Sequence, residues 1–194
     1  MTQDLHLTEV SLESERVYDG KLLHINCDTV RLPDGRQAFR EYVVHPGAVM
    51  VIPVLDDGRL LVERQYRYPV QRTLIEFPAG KLDPGEAPLT CARRELREET
   101  GFTARQWARA GLLHPVVAYS TEVIEIWFAR DLHGGARQLD EGEFLEVFSA
   151  TPAQLHDWCR SGEVTDAKTL VGALWLHNVL GGAWTLDWRA DSAT

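Results

Sequence analysis

The feature that most constrains the fold is the segment IEFPAGKLDPGEAPLTCARRELREETGF, which spans residues 75–102. Its second half places Glu95, Glu98 and Glu99 within a little more than one helical turn, where like charges repel. Two interpretations are open for such a cluster. Either the glutamates belong to a solvated surface helix, or a cation lies among them.

The periodicity of residues 87–100 predicts a helix with one apolar face. Its apolar members recur at spacings of three and four residues: Leu89, Ala92 and Leu96. The three glutamates then lie on neighbouring parts of another face. Carboxylates this close together cost free energy without a cation, and their hard oxygen atoms suit Mg²⁺ or Mn²⁺.

The loop before this helix, PAGKLDPGE at residues 78–86, is rich in turn-forming residues. Gly80 and Gly85 allow the backbone to bend tightly. Such a bend brings a main-chain carbonyl, such as that of Ala79, toward the same cation. The alternative is an ordinary solvated helix, in which arginines at helical spacing pair with the glutamates.

The spacing of the charged residues and glycines decides between these interpretations. From Gly80 to Phe102 the chain reads G-x5-E-x7-REL-x-EE-x-GF. This pattern matches the complete Nudix box, and the chain therefore resembles a Nudix hydrolase. The resemblance implies an α+β fold, the Nudix α/β/α sandwich with a mixed β-sheet, and hydrolysis of a nucleoside diphosphate linked to another moiety.

The resemblance also implies roles for the residues of the box. Glu99 is expected to be a direct metal ligand, Glu95 a second ligand, and Glu98 a catalytic residue that binds the metal or closely supports a ligand. In the enzymes of this family, divalent metals neutralise the pyrophosphate and lower the pKa of the attacking water.

Four further box residues have expected positioning roles. Arg94 is expected to take part in catalysis by orienting the glutamates, and Glu86 to hold the loop against the helix. Gly80 and Gly101 are expected to meet backbone requirements. Among these, the Arg94 side chain can also pair with Glu98, which lies four residues further along the helix.

Outside the box the chain is similar to the ADP-ribose pyrophosphatase group, through LPDG…REYVVHPGAV, LLVERQYRYPV and LIEFPAG. In that group two arginines contact the substrate phosphates, and the matching positions are Arg40 and Arg67. Exposed strand arginines without this role are the alternative. Residues 114–122, HPVVAYSTE, lack the Pro-Gly pair of many ADP-ribose enzymes, so GDP-mannose is a second substrate candidate.

The segment LDEGEFLEV, residues 139–147, resembles the loop that carries the general base in this group. Glu141 matches the base and Glu143 a further metal contact. The alternative is a polar turn before a strand, since turns rich in Asp and Gly are common.

Composition excludes several classes of protein. The net charge is −9, and a chain this acidic without a basic stripe is not expected to bind nucleic acid. The sequence has no apolar run long enough to span a membrane, and the N-terminus lacks the pattern of a signal peptide. The three cysteines form no CxxC pair, which favours a reducing cytoplasm.

The rest of the chain predicts a mostly N-terminal β-region and few helices. A hairpin is expected over residues 22–44 around PDG. Further strands are predicted at 48–55, 59–69, 73–77, 122–130 and 144–150, and further helices at 151–162 and 166–182. Residues 183–194 show no periodicity.

This pattern divides the chain into an antiparallel β-region at residues 1–45 and a Nudix domain at residues 46–194. Members of the group are commonly homodimers joined through their N-terminal strands, although a monomer fits the sequence equally well. The leading hypothesis is a Mg²⁺-dependent enzyme that cleaves ADP-ribose to AMP and ribose 5-phosphate. The rival hypothesis is a non-catalytic Nudix domain that binds a nucleotide sugar and regulates another process.

Overall fold

The computed structural model describes residues 4–139, 142 and 144–191. The chain forms two compact units. The N-terminal unit comprises the residues up to Gly47 together with the segment Val116–Val123. The larger unit comprises Ala48–Pro115 and the residues from Ile124 onward.

The N-terminal unit contains an antiparallel sheet in the order β1-β2-β3, formed by Val10–Asp19, His24–Arg31 and Gln37–Val43. The predicted hairpin is confirmed, because β2 and β3 pair in register from Ile25↔Val43 to Arg31↔Gln37. Gly35 in the connecting turn has a φ of 87°, a value that favours glycine. Strand β1 was not predicted, since its apolar residues do not alternate regularly with its polar residues.

The segment Val116–Val123 pairs with the end of β3, although more than seventy residues separate them in sequence. The Val43 N–H donates to the Tyr119 carbonyl at 2.9 Å, and the Thr121 N–H donates to the Val43 carbonyl at 3.0 Å. The sequence did not predict this association, because such non-local pairing has no local pattern.

The described residues of the larger unit form two sheets and three helices. Its strands are β4 (Ala48–Pro53), β5 (Leu60–Arg67), β6 (Arg72–Glu76), β7 (Ala79–Lys81), β8 (Phe102–Leu113), β9 (Ile124–Gly134), β10 (Leu145–Ala150) and β11 (Arg189–Ala190). Its helices are α1 (Pro88–Glu95), α2 (Pro152–Ser161) and α3 (Ala167–Leu180), with a 3₁₀ turn at Tyr68–Val70 and a π turn at Leu96–Thr100.

The main sheet has the order β11-β8-β9-β4-β7, and the second sheet has the order β10-β5-β6. Strands β4 and β9 are parallel, whereas the other neighbours in the main sheet are antiparallel. The prediction of a mixed sheet in an α+β fold is therefore confirmed.

Alternation along β4 separates the two halves of the core. Val49 and Val51 pack with Cys91, Ala92 and Leu96 of the first helical segment. The other face of β4 packs with the second sheet and the last two helices, through these residues: Met50, Ile52, Leu60, Val62, Leu155, Ala173 and Leu176. Because successive strand side chains point to opposite faces, one buried strand supports layers on both sides, as an α/β/α sandwich requires.

Each of the two C-terminal helices begins with a side-chain cap. The Thr151 hydroxyl accepts from the Gln154 N–H, and the Gln154 side chain accepts from the Thr151 N–H, which completes a capping box. Helix α2 ends at Gly162, which has a left-handed conformation. The Asp166 side chain caps α3 through the Thr169 N–H.

One prediction needs correction, and two further strands were not predicted. The helix predicted over 87–100 is α-helical only to Glu95 and then widens into the π turn. Strand β8 was not predicted, and β11 lies in a segment without periodicity. Among the described residues, no helix combines the length and apolarity needed to cross a membrane.

Candidate active site

The segment from β7 to the π turn brings the box residues together. Glu86 lies in the loop just before α1, and Arg94 and Glu95 end that helix. Glu98 and Glu99 lie in the π turn, which ends at Gly101 with a φ of 78°. π turns inside helices occur often at functional sites, and here the turn carries two of the three clustered glutamates.

Arg94 lies at the centre of the cluster. Its Nε and Nη2 donate to the two carboxylate oxygens of Glu86 at 3.0 and 2.9 Å. Its Nη1 donates to Glu95 at 2.7 Å and to Glu98 at 3.1 Å. Nη2 also donates to the Lys81 carbonyl at 3.1 Å. One guanidinium thus orients two glutamates and ties the helix to the loop before it, as a rigid donor fork allows.

This pairing changes the ionisation of both partners. The hydrogen bonds from Arg94 lower the pKa of Glu86 from 4.5 to about 2, although partial burial opposes the shift. The hydrogen bond to Glu86 in turn raises the pKa of Arg94. Both groups therefore stay charged over the whole physiological pH range.

Glu99 is almost completely buried, with 3% of its surface exposed. Its Oε2 accepts a hydrogen bond from the Ala79 N–H at 3.0 Å. A buried carboxylate is costly unless polar partners surround it. This bond places the Glu99 side chain beside Ala79 of β7, the residue whose carbonyl was predicted to face the cation.

Gly80 makes room for the neighbouring glutamate. A Cβ atom at this position would lie 1.8 Å from Oε1 of Glu95, far inside van der Waals contact. The backbone requirement predicted for Gly80 thus has a steric cause in the space taken by the carboxylate. The requirement for glycine at Gly101 has a different cause, since the positive φ of this residue favours glycine.

The residues around Arg94 fit a divalent metal by their chemistry. Glu95, Glu98 and Glu99 supply hard oxygen donors, and the missing side chain at Gly80 leaves space for one of them. Across residues 4–139, 142 and 144–191, no three acidic, imidazole or thiol side chains already form a metal site. In this arrangement Arg94 binds Glu95 and Glu98.

Sequence reasoning missed a buried ionic network elsewhere in the larger unit. Glu76, the last residue of β6, is 1% exposed and accepts from Nε and Nη2 of Arg67 at 2.7 and 2.8 Å. The Lys168 ammonium also bonds to it. Burial raises the pKa of Glu76, but the Arg67 hydrogen bonds and the charge of Lys168 together bring it below its usual value. The sequence signal that could have predicted this network is Glu76, a carboxylate within the apolar run TLIEF.

Both predicted phosphate-binding arginines hold a carboxylate in this structure. Arg67 binds Glu76, and this hydrogen bond raises the pKa of Arg67. Arg40, in β3 of the N-terminal unit, binds Glu9 through Nε at 2.9 Å and Nη2 at 2.5 Å. Glu141 and Glu143, the predicted base and further metal contact, lie outside the described residues.

Comparison with known proteins identifies the family. Residues 44–170 match the NUDIX domain, and residues 11–43 match the nucleoside diphosphate sugar hydrolase N-terminal domain. The chain therefore belongs to the Nudix hydrolase family.

Individual relatives cover most of both chains. The ADP-ribose pyrophosphatase of Bacillus subtilis (strain 168) is 38% identical over 173 residues, which are 88% of this chain and 94% of the relative. The ADP-ribose pyrophosphatase of Mycobacterium tuberculosis is 32% identical, over 89% of this chain and 84% of the relative. A solved structure, described as a crystal structure of ADP compounds hydrolase, matches with a TM-score of 0.82 and 26% identity, covering 91% and 97% of the two chains. The predicted Nudix fold is confirmed.

The Glu86–Arg94 pair predicts a pH-dependent stability. Because the folded-state pKa of Glu86 lies below its ordinary value, the pair stabilises the protein above pH 4.5 and ceases to do so as the pH falls toward 2. Glu86→Gln is expected to lower the free energy of unfolding by about 3 kcal/mol at pH 7. The difference from wild type should shrink as the pH falls below 4.5.

Denaturant unfolding of both proteins between pH 7 and pH 3 measures this difference. The exposed Glu163→Gln is the matched control and should show no comparable loss. A destabilisation by Glu86→Gln that stays constant over this range would contradict the assignment of the pKa shift to Arg94.

Proposed function

We propose that this protein hydrolyses ADP-ribose to AMP and ribose 5-phosphate in a reaction that requires Mg²⁺ or Mn²⁺. The observation that carries the proposal is the intact set of box glutamates gathered around Arg94 and Gly80. Similarity along most of the chain to enzymes named ADP-ribose pyrophosphatase supports the choice of substrate.

In this proposal Glu95, Glu99 and the Ala79 carbonyl hold the metal, and Glu98 completes or supports the ligand set. The hydrogen bond that places Glu99 beside Ala79 supports this grouping. When bound, a divalent metal neutralises the diphosphate and lowers the pKa of the attacking water. Arg94 and Glu86 keep the glutamates in place before the substrate arrives, and Gly80 and Gly101 provide the space and the backbone turn.

The proton of the attacking water needs an acceptor that does not itself hold the metal too tightly. We assign this role to Glu141, with Glu143 as a further metal contact, on the similarity of residues 139–147 to the corresponding loop of the group. A general base must lie within hydrogen-bond reach of the water, directly or through a second water.

Arg40 and Arg67 are the proposed contacts to the substrate phosphates, since a guanidinium fork matches a phosphate in charge and geometry. Each arginine is held by a carboxylate, Glu9 or Glu76. Such a partner holds the guanidinium in a defined orientation, which limits the entropy lost when a phosphate binds.

We further propose that the chain acts as a homodimer in the cytoplasm, with residues 1–45 as the dimer region and 46–194 as the catalytic domain. Exposed apolar residues on the N-terminal sheet support an interface there: Val10, Leu12, Val17, Tyr18 and Phe39. The three cysteines, Cys27, Cys91 and Cys159, are free thiols, which supports a reducing compartment.

A second substrate candidate is GDP-mannose or another nucleotide sugar. It is favoured by the segment HPVVAYSTE at residues 114–122, which lacks the Pro-Gly pair typical of many ADP-ribose enzymes. The metal chemistry is the same for both substrates, so base and sugar recognition alone separate them.

Product release from a panel of compounds with Mg²⁺ or Mn²⁺ tests the proposal. The panel contains ADP-ribose, GDP-mannose, UDP-glucose, NADH and diadenosine polyphosphates. We expect ADP-ribose to be the preferred substrate, giving AMP and ribose 5-phosphate. If GDP-mannose is turned over faster than ADP-ribose, GDP-mannose is the preferred substrate. Thermal stabilisation by one compound without any turnover would instead favour the non-catalytic binding module.

A further inference from the structure

The larger unit contains a cavity of about 310 Å³ beside helix α1 that none of the proposed catalytic residues lines. Four parts of the chain supply its polar and aromatic walls. These residues are Arg93 from α1, Trp107 and Arg109 from β8, Trp127 from β9, and Asp187 and Arg189 from the C-terminal segment. Its size is at the lower end of the range for small-molecule sites.

Strand pairing sets the arrangement of these walls. Arg109 lies opposite Trp127 in the β8–β9 ladder, and Arg189 lies opposite Trp107 in the β8–β11 ladder. Residues directly opposite on neighbouring strands have side chains on the same face of the sheet. The cavity is therefore lined on the sheet side by two arginines alternating with two indoles.

Two buried hydrogen-bond donors at this cavity lack an acceptor in the part of the chain that the structure describes. They are Nε of Arg93 and the indole N–H of Trp127. The second indole differs, because the Trp107 N–H donates to the Ala104 carbonyl at 3.2 Å. Buried donors in folded proteins are almost always paired, so two of them on one cavity indicate that an acceptor occupies it.

The charges around the cavity are partly balanced. Arg93 pairs with Asp191, Arg109 with Glu125 at 3.1 Å, and Arg189 with Asp187 at 3.0 Å. Each guanidinium carries five N–H donors, so one carboxylate partner leaves others available to a ligand. Because the carboxylates also reduce the local positive potential, a bound anion is expected to have modest affinity.

We propose that this cavity is a binding site for a small organic oxyanion, a phosphate or carboxylate attached to a compact sugar or apolar group. The oxyanion accepts from Arg93 Nε and the Trp127 indole, while Arg109 and Arg189 supply positive charge. The rest of the ligand packs against Trp107 and Leu89. The site is separate from the proposed metal-binding glutamates and does not depend on which reaction the protein catalyses.

The indole N–H of Trp127 provides a direct readout. In ¹H–¹⁵N spectra of labelled protein, the six tryptophans give separate indole signals, and Trp127→Phe identifies the one in question. Ribose 5-phosphate, inorganic phosphate and uncharged ribose are titrated without divalent metal. We expect both phosphates to shift the Trp127 signal saturably with a Kd of about 1 mM or below, and ribose to leave it unchanged.

Variants connect the shift to the cavity. Arg109→Gln and Arg189→Gln are each expected to weaken the binding of ribose 5-phosphate at least about five-fold, because each removes a charge-assisted contact. Arg160→Gln is the matched control, since Arg160 is 80% exposed on α2 and also pairs with an aspartate, Asp157. Its affinity should equal that of wild type.

Three results would overturn the proposal. The Trp127 signal would stay in place with either phosphate, or ribose would shift it as strongly as ribose 5-phosphate. Alternatively, Arg109→Gln and Arg189→Gln would both leave the affinity unchanged, which would place the bound phosphate elsewhere. In the first and third cases water, rather than an organic anion, satisfies the two buried donors. In the second case the cavity recognises the sugar and not the oxyanion.

Discussion

Glu99→Gln is expected to reduce metal-dependent hydrolysis about a thousand-fold while the protein stays folded. The substitution removes one negative charge from the proposed metal site and keeps the size of the side chain. The neutral amide oxygen can still accept from the Ala79 N–H, which now bonds to Glu99 at 3.0 Å. Since a buried amide costs less than a buried carboxylate, stability should fall by no more than about 1 kcal/mol.

Turnover of ADP-ribose at several Mg²⁺ concentrations, together with thermal unfolding, checks this expectation. Glu163→Gln, the same change at an exposed position, should keep the wild-type rate. If Glu99→Gln retains a rate within about ten-fold of wild type at all metal concentrations, Glu99 is not the principal ligand that the box position implies.

Gly80→Ala is expected to lower the hydrolysis rate about a hundred-fold with little effect on stability. The new Cβ would lie 1.8 Å from Oε1 of Glu95, so the carboxylate must move. The Glu95 carboxylate is the far end of a flexible side chain, which makes this movement inexpensive for folding. Displacing a catalytic group by about 1 Å is nevertheless enough for a loss of that size.

Gly134→Ala is the matched control for this substitution. A Cβ at Gly134, at the end of β9, meets its nearest neighbour Phe102 at 3.5 Å, an ordinary contact. Its activity should remain close to that of wild type. We also expect Gly80→Ala to need a higher Mg²⁺ concentration for half-maximal rate, because the displaced Glu95 binds the metal less well. Unchanged activity of Gly80→Ala would exclude Glu95 from the metal site.

The elements with local signals were predictable. The hairpin of β2 and β3 follows from two β-rich runs around PDG. Helix α2 follows from Thr151 as its capping residue, and α3 from a long segment that is apolar on one side and ends at two glycines. Strands β1 and β8 were missed because their residues alternate irregularly between polar and apolar side chains. Register shifts also interrupt the pairing of both strands.

In the candidate site, too, the features with a local sequence signal were predicted and the others were not. The spacing of the box identified the glutamates as candidate metal ligands, since the metal-binding segment of the family is expected to carry those residues at those intervals. It did not predict the π turn over Leu96–Thr100, which replaces the last turn of the expected α-helix. It also did not predict that Glu76, Arg67 and Lys168 form a buried ionic network.

The sequence by itself determined the family, the order of the main helices and the residues proposed to carry the chemistry, because each of these is encoded within a short stretch of chain. Only the tertiary structure decided which atoms meet. The loop before α1 folds back so that Arg94 reaches Glu86 and Lys81, and β7 approaches until no side chain fits at Gly80. Strands β8, β9 and β11 likewise assemble the cavity around Arg93 and Trp127. Such contacts join segments that are distant in sequence, and no local pattern of residues predicts which of these segments meet.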